Sequence, residues 1–271
     1  MAVDEAADAA PRPEAIAAEI HRQLGDIPAP IPVHEIAMAL RIEQITERPL
    51  TNFEGMLVTD QERSSGSILV NSRSGSDRRR YSIGHELAHY LCYWHKQTGA
   101  GFQCTRRDMA SPVGEDLHIR QEKEANRFAI ELLAPKRLFT PYLRGLPDLE
   151  RVVAAHRNLE VSKIAAARRY AELHRERLAV VFAKGGLFQY ASRGGDFPYL
   201  RMETGNYLPV LPTMPGHSAT SEMTEADPEQ WPGLEKEREL GIQVLIQDDG
   251  HAILLLHLAD TDDEADQTTF R

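Results

Sequence analysis

The stretch YSIGHELAHYLCYWH, Tyr81–His95, sets two histidines four residues apart, His85 and His89, with Glu86 directly after the first. On a helix, residues four apart project from one face a turn apart, so two imidazoles can reach a single ion. Zn²⁺ suits such a pair because imidazole is a good ligand for it and tetrahedral geometry leaves a position for water. Glu86 is turned by about 100° from His85. It can reach a bound water without taking a coordination position, accept its proton and pass it to a leaving amine. Those roles are the mechanical content of the H-E-x-x-H pattern. The competing reading is an amphipathic helix that carries three polar residues by chance. Ile83, Leu87, Ala88, Tyr90 and Leu91 would bury this helix, which leaves its histidines in need of partners.

A third ligand is offered by EKEANRFAIELLAP, Glu122–Pro135. On a helical wheel with Glu122 at zero, Ala125, Phe128, Ala129, Leu132 and Leu133 form an apolar arc centred near about 320°. Lys123, Glu124, Arg127 and Glu131 fall on the opposite face, with Glu124 towards solvent. Glu122 and Asn126 lie inside the apolar arc. A carboxylate aimed into a core needs a strong partner, and a metal is one. Glu122 is therefore the expected third ligand, and Asn126, one turn on, can hydrogen-bond a ligand histidine and orient it. Two alternatives stay open: an ion pair of Glu122 with Arg79 or Arg80, or Glu124 as ligand if the wheel is rotated.

RRRYSIGHELAHYL followed by EKEANRFAIELLAP, with the strand SILVN ahead, resembles the ImmA/IrrE metallopeptidases. The match is specific from about Gly55 to Pro135, looser through the helices to Leu173, and only general in the C-terminal third. The resemblance implies a gluzincin-like zinc site: His85 and His89 as ligands, Glu86 as general base and Glu122 as third ligand. It also implies a regulatory role, because members cleave, or relieve repression by, helix-turn-helix repressors encoded beside them. One departure is the long, glycine-containing connection between His89 and Glu122, which touches the shape of the substrate cleft rather than the ligand set.

Other polar residues are weighed against plainer roles. His95, six after His89, is off the ligand face and reads as a surface or structural residue. His118 is one turn before Glu122 and can point at the metal or at an oxyanion; a helix-start histidine is the plainer reading. Cys92 reads as a small buried residue. Neither it nor Cys104 has metal-ligand spacing or suggests a disulfide framework. Arg78, Arg79 and Arg80 anchor the entry to the helix, contact substrate, or lie in a solvated loop. SILVN is expected to present an edge along which an extended peptide adds, with Asn71 near its end as a substrate-binding candidate.

The rest of the chain supplies the setting. The 271 residues allow one sizeable core and a second, smaller one, and the fold class is α+β. We expect a disordered N-terminus over 1–11 and a mainly helical zinc-peptidase domain with a small β-sheet over 12–140. Helices form over 141–176, a β-rich accessory region over 177–258 and an acidic tail over 259–271. The strand pair GMLVTD and GSILVN precedes a basic loop, SRSGSDRRR. Helices are expected at Pro13–Leu24, Leu117–Leu133, Asp148–Leu159 and Val161–Leu173, and hairpins at Gly185-Gly186 and Asp249-Gly250. The stretch from Pro212 to Gly233 reads as a Pro/Ser/Thr/Glu-rich loop. VVAAHRNLEVSKIAAARRYAEL has the outline of a helix-turn-helix, but helices bracing the peptidase core are the favoured reading. A formal net charge of -10 argues against a broad nucleic-acid surface and so against direct DNA binding. No segment approaches about 18 consecutive apolar residues, so no membrane span is expected. The N-terminus has no secretory pattern, and the expected location is the cytoplasm.

The function these readings point to is a zinc-dependent endopeptidase acting on a protein substrate, a helix-turn-helix repressor. The competing class is a non-catalytic DNA- or protein-binding regulator with a structural or vestigial zinc site. A third is an interaction module built around the C-terminal strands.

Overall fold

Why the motif helix is buried follows from the sheet and helices around it. The computed structural model describes residues 12–97, 101–106, 108–109, 116–209, 219–235, 239–247 and 249–259. The expected disordered N-terminus over 1–11, the residues of the Pro212–Gly233 loop up to 218, and the acidic tail from Asp260 lie outside the described residues. The chain divides into two compact units, Met1–Leu138 with Arg157–Ser162, and Phe139–His156 with Lys163–Arg271.

The first unit opens with α1 (Pro13–Leu24) and α2 (Val33–Ala39). Proline at the start of α1 and Gly25, with φ +71°, at its end bound the helix as the sequence suggests. Then come β1 (Ile42–Arg48), β2 (Gly55–Thr59) and β3 (Gly66–Asn71). The motif helix α3 runs Ser76–Leu91. A four-residue strand, β4 (Gly101–Cys104), and α4 (Leu117–Leu133) complete the site. The sheet order is β1-β3-β2-β4, with β1 parallel to β3 and the other pairs antiparallel.

Two expectations are corrected, and two strands come in addition to those expected. SRSGSDRRR is a loop only as far as Gly75; Ser76–Arg80 is the first turn of α3, with Asp77 favourably placed at its positive end. Strand β3 lies between β1 and β2, so both its edges are paired and it offers none to a peptide. Strands β1 and β4 escape a pattern reading because IEQITER is largely polar and GFQC is short.

Helix α4 matches the wheel: Glu122, Ala125, Phe128, Ala129, Leu132 and Leu133 are buried. Asp116 caps it by accepting from the Ile119 N–H, and it stops at Ala134, before Pro135. Helices α3 and α1 both pack on α4. The His21 imidazole secures α1 with a hydrogen bond of 2.9 Å to the Leu132 carbonyl.

A short α5 (Lys136–Phe139) leads on to α6 (Leu149–Leu159) and α7 (Lys163–Leu173). In the second unit α7 lies against β5 (Leu178–Lys184) and β6 (Leu187–Arg193), so the C-terminal sheet is what it supports. Arg169, one of the basic residues of the helix-turn-helix outline, is buried and paired with Glu172 at 2.8 Å. It is therefore not available to a phosphate backbone. Strands β7 (Thr224–Ala226), β8 (Leu240–Ile246) and β9 (His251–Leu258) follow. The order is β6-β5-β9-β8-β7, antiparallel throughout, with both expected hairpins in place. Gly185 and Gly186 have φ +58° and +77°, the left-handed pair that a two-residue hairpin turn needs. Phe188, Phe197, Trp231, Val244 and Leu254 share its core. Trp231 and β7 lie in the stretch expected to be loop, whose second half is thus part of the sheet.

Candidate metal centre

Helix α3 carries His85, Glu86 and His89, all completely buried, and α4 brings Glu122, 2% exposed, against them. The His85 Nε2 lies 3.0 Å from Glu122 Oε2, the His89 Nε2 3.3 Å from Glu122 Oε1, and the two Nε2 atoms are 3.2 Å apart. A tetrahedral ion with nitrogen and oxygen ligands at about 2.0–2.1 Å holds those ligands about 3.3–3.4 Å from one another. The three side chains therefore already stand at ligand spacing and fit a zinc ion.

The outer nitrogens fix the rings. His85 Nδ1 meets the Asn126 Oδ1 at 3.1 Å, and that oxygen also accepts from the Tyr81 hydroxyl at 2.7 Å. Asn126 is held in turn by donating to the Asp108 carbonyl at 2.9 Å. An acceptor at Nδ1 puts the proton there and leaves the Nε2 lone pair for a metal. Asn126 thus stands where an orienting residue is expected. His89 finds its partner in His95, whose Nδ1 is 2.9 Å from its own. His95 is 2% exposed and passes the link to Glu124 through its Nε2 at 3.2 Å. Trp94 and Arg120 also donate to Glu124. Of the two roles read for His95, surface or structural, the structural one holds, and the reading of Glu124 is corrected: it is turned into this network rather than towards solvent. Glu124 stands behind His95, away from the ligand atoms.

The ion-pair alternative for Glu122 is not realised. Arg79 pairs with Glu47 at 3.1 Å and Arg80 with Glu160 at 3.4 Å. The exposed His118 is 3.8 Å from Glu122 and 3.5 Å from Asp108. Asn71 spends its amide on the nearby turn: it donates to the Leu50 and Phe53 carbonyls and accepts from the Leu50 and Arg73 N–H groups.

Glu86 is fully buried, and its carboxylate meets no nitrogen or oxygen donor; the weakly donating Cys104 thiol is the group that faces it. Burial drives its pKa well above the usual carboxylate range; the Cys104 thiol opposes this and the charge on Glu122 adds to it. Burial lowers His89 to about 3, against the carboxylate of Glu122. Glu122 is held ionised, since both histidines outweigh its own burial.

Two residues that the sequence reading did not single out complete the centre. Gly55, first in β2, faces Glu86 so closely that any side chain would strike the carboxylate. Cys104 sits at 1% exposure with its Sγ in the cluster, where the ligand atoms of His85, His89, Cys104 and Glu122 lie within 4.8 Å of one another. The sequence shows no metal-ligand spacing at either cysteine, yet the fold brings Cys104 to the cluster. Spacing had no signal to give, because Cys104 arrives on β4 from the long connection. Cys92 is buried as a small core residue.

No curated protein matches the chain. Among solved structures it is similar to a Mycobacterium tuberculosis transcriptional regulator, with TM-score 0.61 and 13% identity over 91% of this chain and 76% of that one. At that identity the likeness is one of fold. Residues 41–170 match the Peptidase M78 family, described as the IrrE N-terminal-like domain, and the match spans both the H-E-x-x-H helix and the Glu122 helix. Residues 41–170 thus carry a domain of the Peptidase M78, IrrE N-terminal-like kind, in line with the resemblance read from the sequence.

Proposed function

We propose that this chain is a zinc-dependent endopeptidase that cleaves a helix-turn-helix transcriptional repressor at a specific site, in the cytoplasm, and so derepresses genes. The observation that carries the reading is the convergence of His85, His89 and Glu122 at 3.0–3.3 Å beside the buried carboxylate of Glu86. His85, His89 and Glu122 would hold the ion. Zinc, when bound, supplies a Lewis acid that polarises a carbonyl and makes water more acidic. Glu86 accepts a proton at its carboxylate and delivers it to the leaving amine nitrogen. Asn126 and His95 hold the two imidazoles in the tautomer that leaves Nε2 free.

The substrate class rests on weaker support. A net charge of -10 attracts a basic partner, which a DNA-binding repressor is. That a protein of similar fold is a transcriptional regulator fits a regulatory setting. A buried site needs an extended segment, so the cut falls in a linker or a locally unfolded stretch. The test is incubation of the purified repressor encoded beside this gene with wild type and Glu86→Gln. Single-site cleavage by wild type alone is expected; cleavage by both overturns the mechanism.

One observation favours a second reading, a non-catalytic regulator with a structural zinc. Structural sites are closed by four protein ligands, and Cys104 supplies a fourth donor. Cleavage of the repressor by neither protein selects this reading.

A further inference from the structure

Strand β4 comes from the connection between His89 and Glu122, and its register decides what it does. It pairs antiparallel with β2, Val58 opposite Gly101, Leu57 opposite Phe102 and Gly55 opposite Cys104. Among the described residues its other edge is unpaired. Alternate residues of a strand share a face. Here Phe102 and Cys104 both turn to α3: the Phe102 ring stacks on the His89 imidazole with centroids 4.4 Å apart, and Cys104 enters the ligand cluster. Gly101 lets the strand close onto β2, since any side chain there would strike the Leu57 carbonyl. The thiol is thus carried by a strand fitted to the site on both its inward residues.

We propose that Cys104 is a fourth protein ligand of the ion held by His85, His89 and Glu122, bound as thiolate and closing the coordination sphere. The inference rests on the metal reading above and adds to it how the site is regulated. On binding, the thiol gives its proton to solvent and the sulfur takes the position a water would otherwise fill. The resting enzyme is therefore closed. Hydrolysis requires the thiolate to leave and regain a proton.

The test is Co²⁺ substitution in the full chain. The sequence has two cysteines, so Cys92→Ala leaves Cys104 as the only thiol. Wild type and Cys92→Ala are expected to show a near-ultraviolet thiolate-to-cobalt charge-transfer band. Cys104→Ala should lose the band while still binding about one cobalt per chain through the remaining three ligands. Cobalt bound by Cys92→Ala without the band overturns the proposal, whether or not Cys104→Ala folds. A chain that takes up no cobalt overturns the metal centre and the thiolate ligand with it. A band in a protein that cleaves nothing removes the peptidase reading and leaves the ligand standing.

Discussion

His89 and His95 meet through their Nδ1 atoms at 2.9 Å, six residues apart across the end of α3. Only one of the two nitrogens can donate. With the proton on His89 Nδ1, its Nε2 faces the ligand cluster as a lone pair, and His95 keeps an Nε2–H for Glu124, 3.2 Å away. The whole relay from Arg120 and Trp94 inward therefore serves the ligand state of one imidazole.

Replacing that support should loosen the metal without removing a ligand. His95→Ala is expected to weaken zinc affinity about 10- to 100-fold, the usual effect of losing such an outer partner. Chelator competition measures it. Unchanged affinity would show that Phe102 packing alone holds the His89 ring.

The ligand set itself is tested by metal content. His85→Ala, His89→Ala and Glu122→Ala should each sharply lower bound zinc, and Glu124→Ala should retain it. Full zinc in Glu122→Ala with loss in Glu124→Ala would reverse the assignment of the two carboxylates on α4.

Glu86 and Gly55 are expected to separate chemistry from binding. Glu86→Gln should keep zinc and lose cleavage of the repressor by about 10²–10⁴-fold. Gly55→Val, which forces the carboxylate aside, should do the same through position rather than charge. Rates matching wild type in Gly55→Val would mean that Glu86 has room to move.

Acid should destabilise the metal-free protein in a defined window. Burial holds His89 down to about 3 and His95 down to about 4, against 6.5 for the unfolded chain. As pH falls below about 6.5 the unfolded state takes up protons that the folded state refuses, so stability falls with pH until about pH 4. The slope reaches about 1.4 kcal/mol per pH unit for each histidine; above pH 4.5 the raised Glu86 carboxyl, protonated first in the folded state, offsets at most one of the two. Urea unfolding of the chelated protein at several pH values checks this, and a flat profile through the window would be incompatible with two neutral buried imidazoles.

In the second unit, Gln243 ties the sheet to the start of α6. Its Oε1 accepts from the Leu149 N–H at 2.7 Å and its amide donates to Asp148 Oδ1 and the Ser221 carbonyl, both at 3.0 Å. Gln243→Leu strands buried backbone groups at Leu149 and Ser221 and should cost about 1–3 kcal/mol. Thermal or urea unfolding measures the loss; a neutral substitution would mean water replaces the amide.

The sequence by itself determined α3 and α4 as the elements that matter, since a four-residue step and an apolar arc are local periodicities. It placed His85, His89, Glu122 and Asn126 on inward faces for that reason, and the two C-terminal hairpins were legible from turn chemistry. What only the tertiary structure decided concerns residues whose role depends on distance in space. His95 looks off-face on an extended wheel, but α3 ends at Leu91, and the chain turns back to bring it under His89. Strand β3 looked like an edge until β1, too polar to read as a strand, paired with it. Gly55 and Cys104 carry no local signal at all. They matter because β2 and β4 pair over Glu86, and strand pairing across 49 residues of sequence, Gly55 to Cys104, is set by long-range packing that no window of the sequence contains.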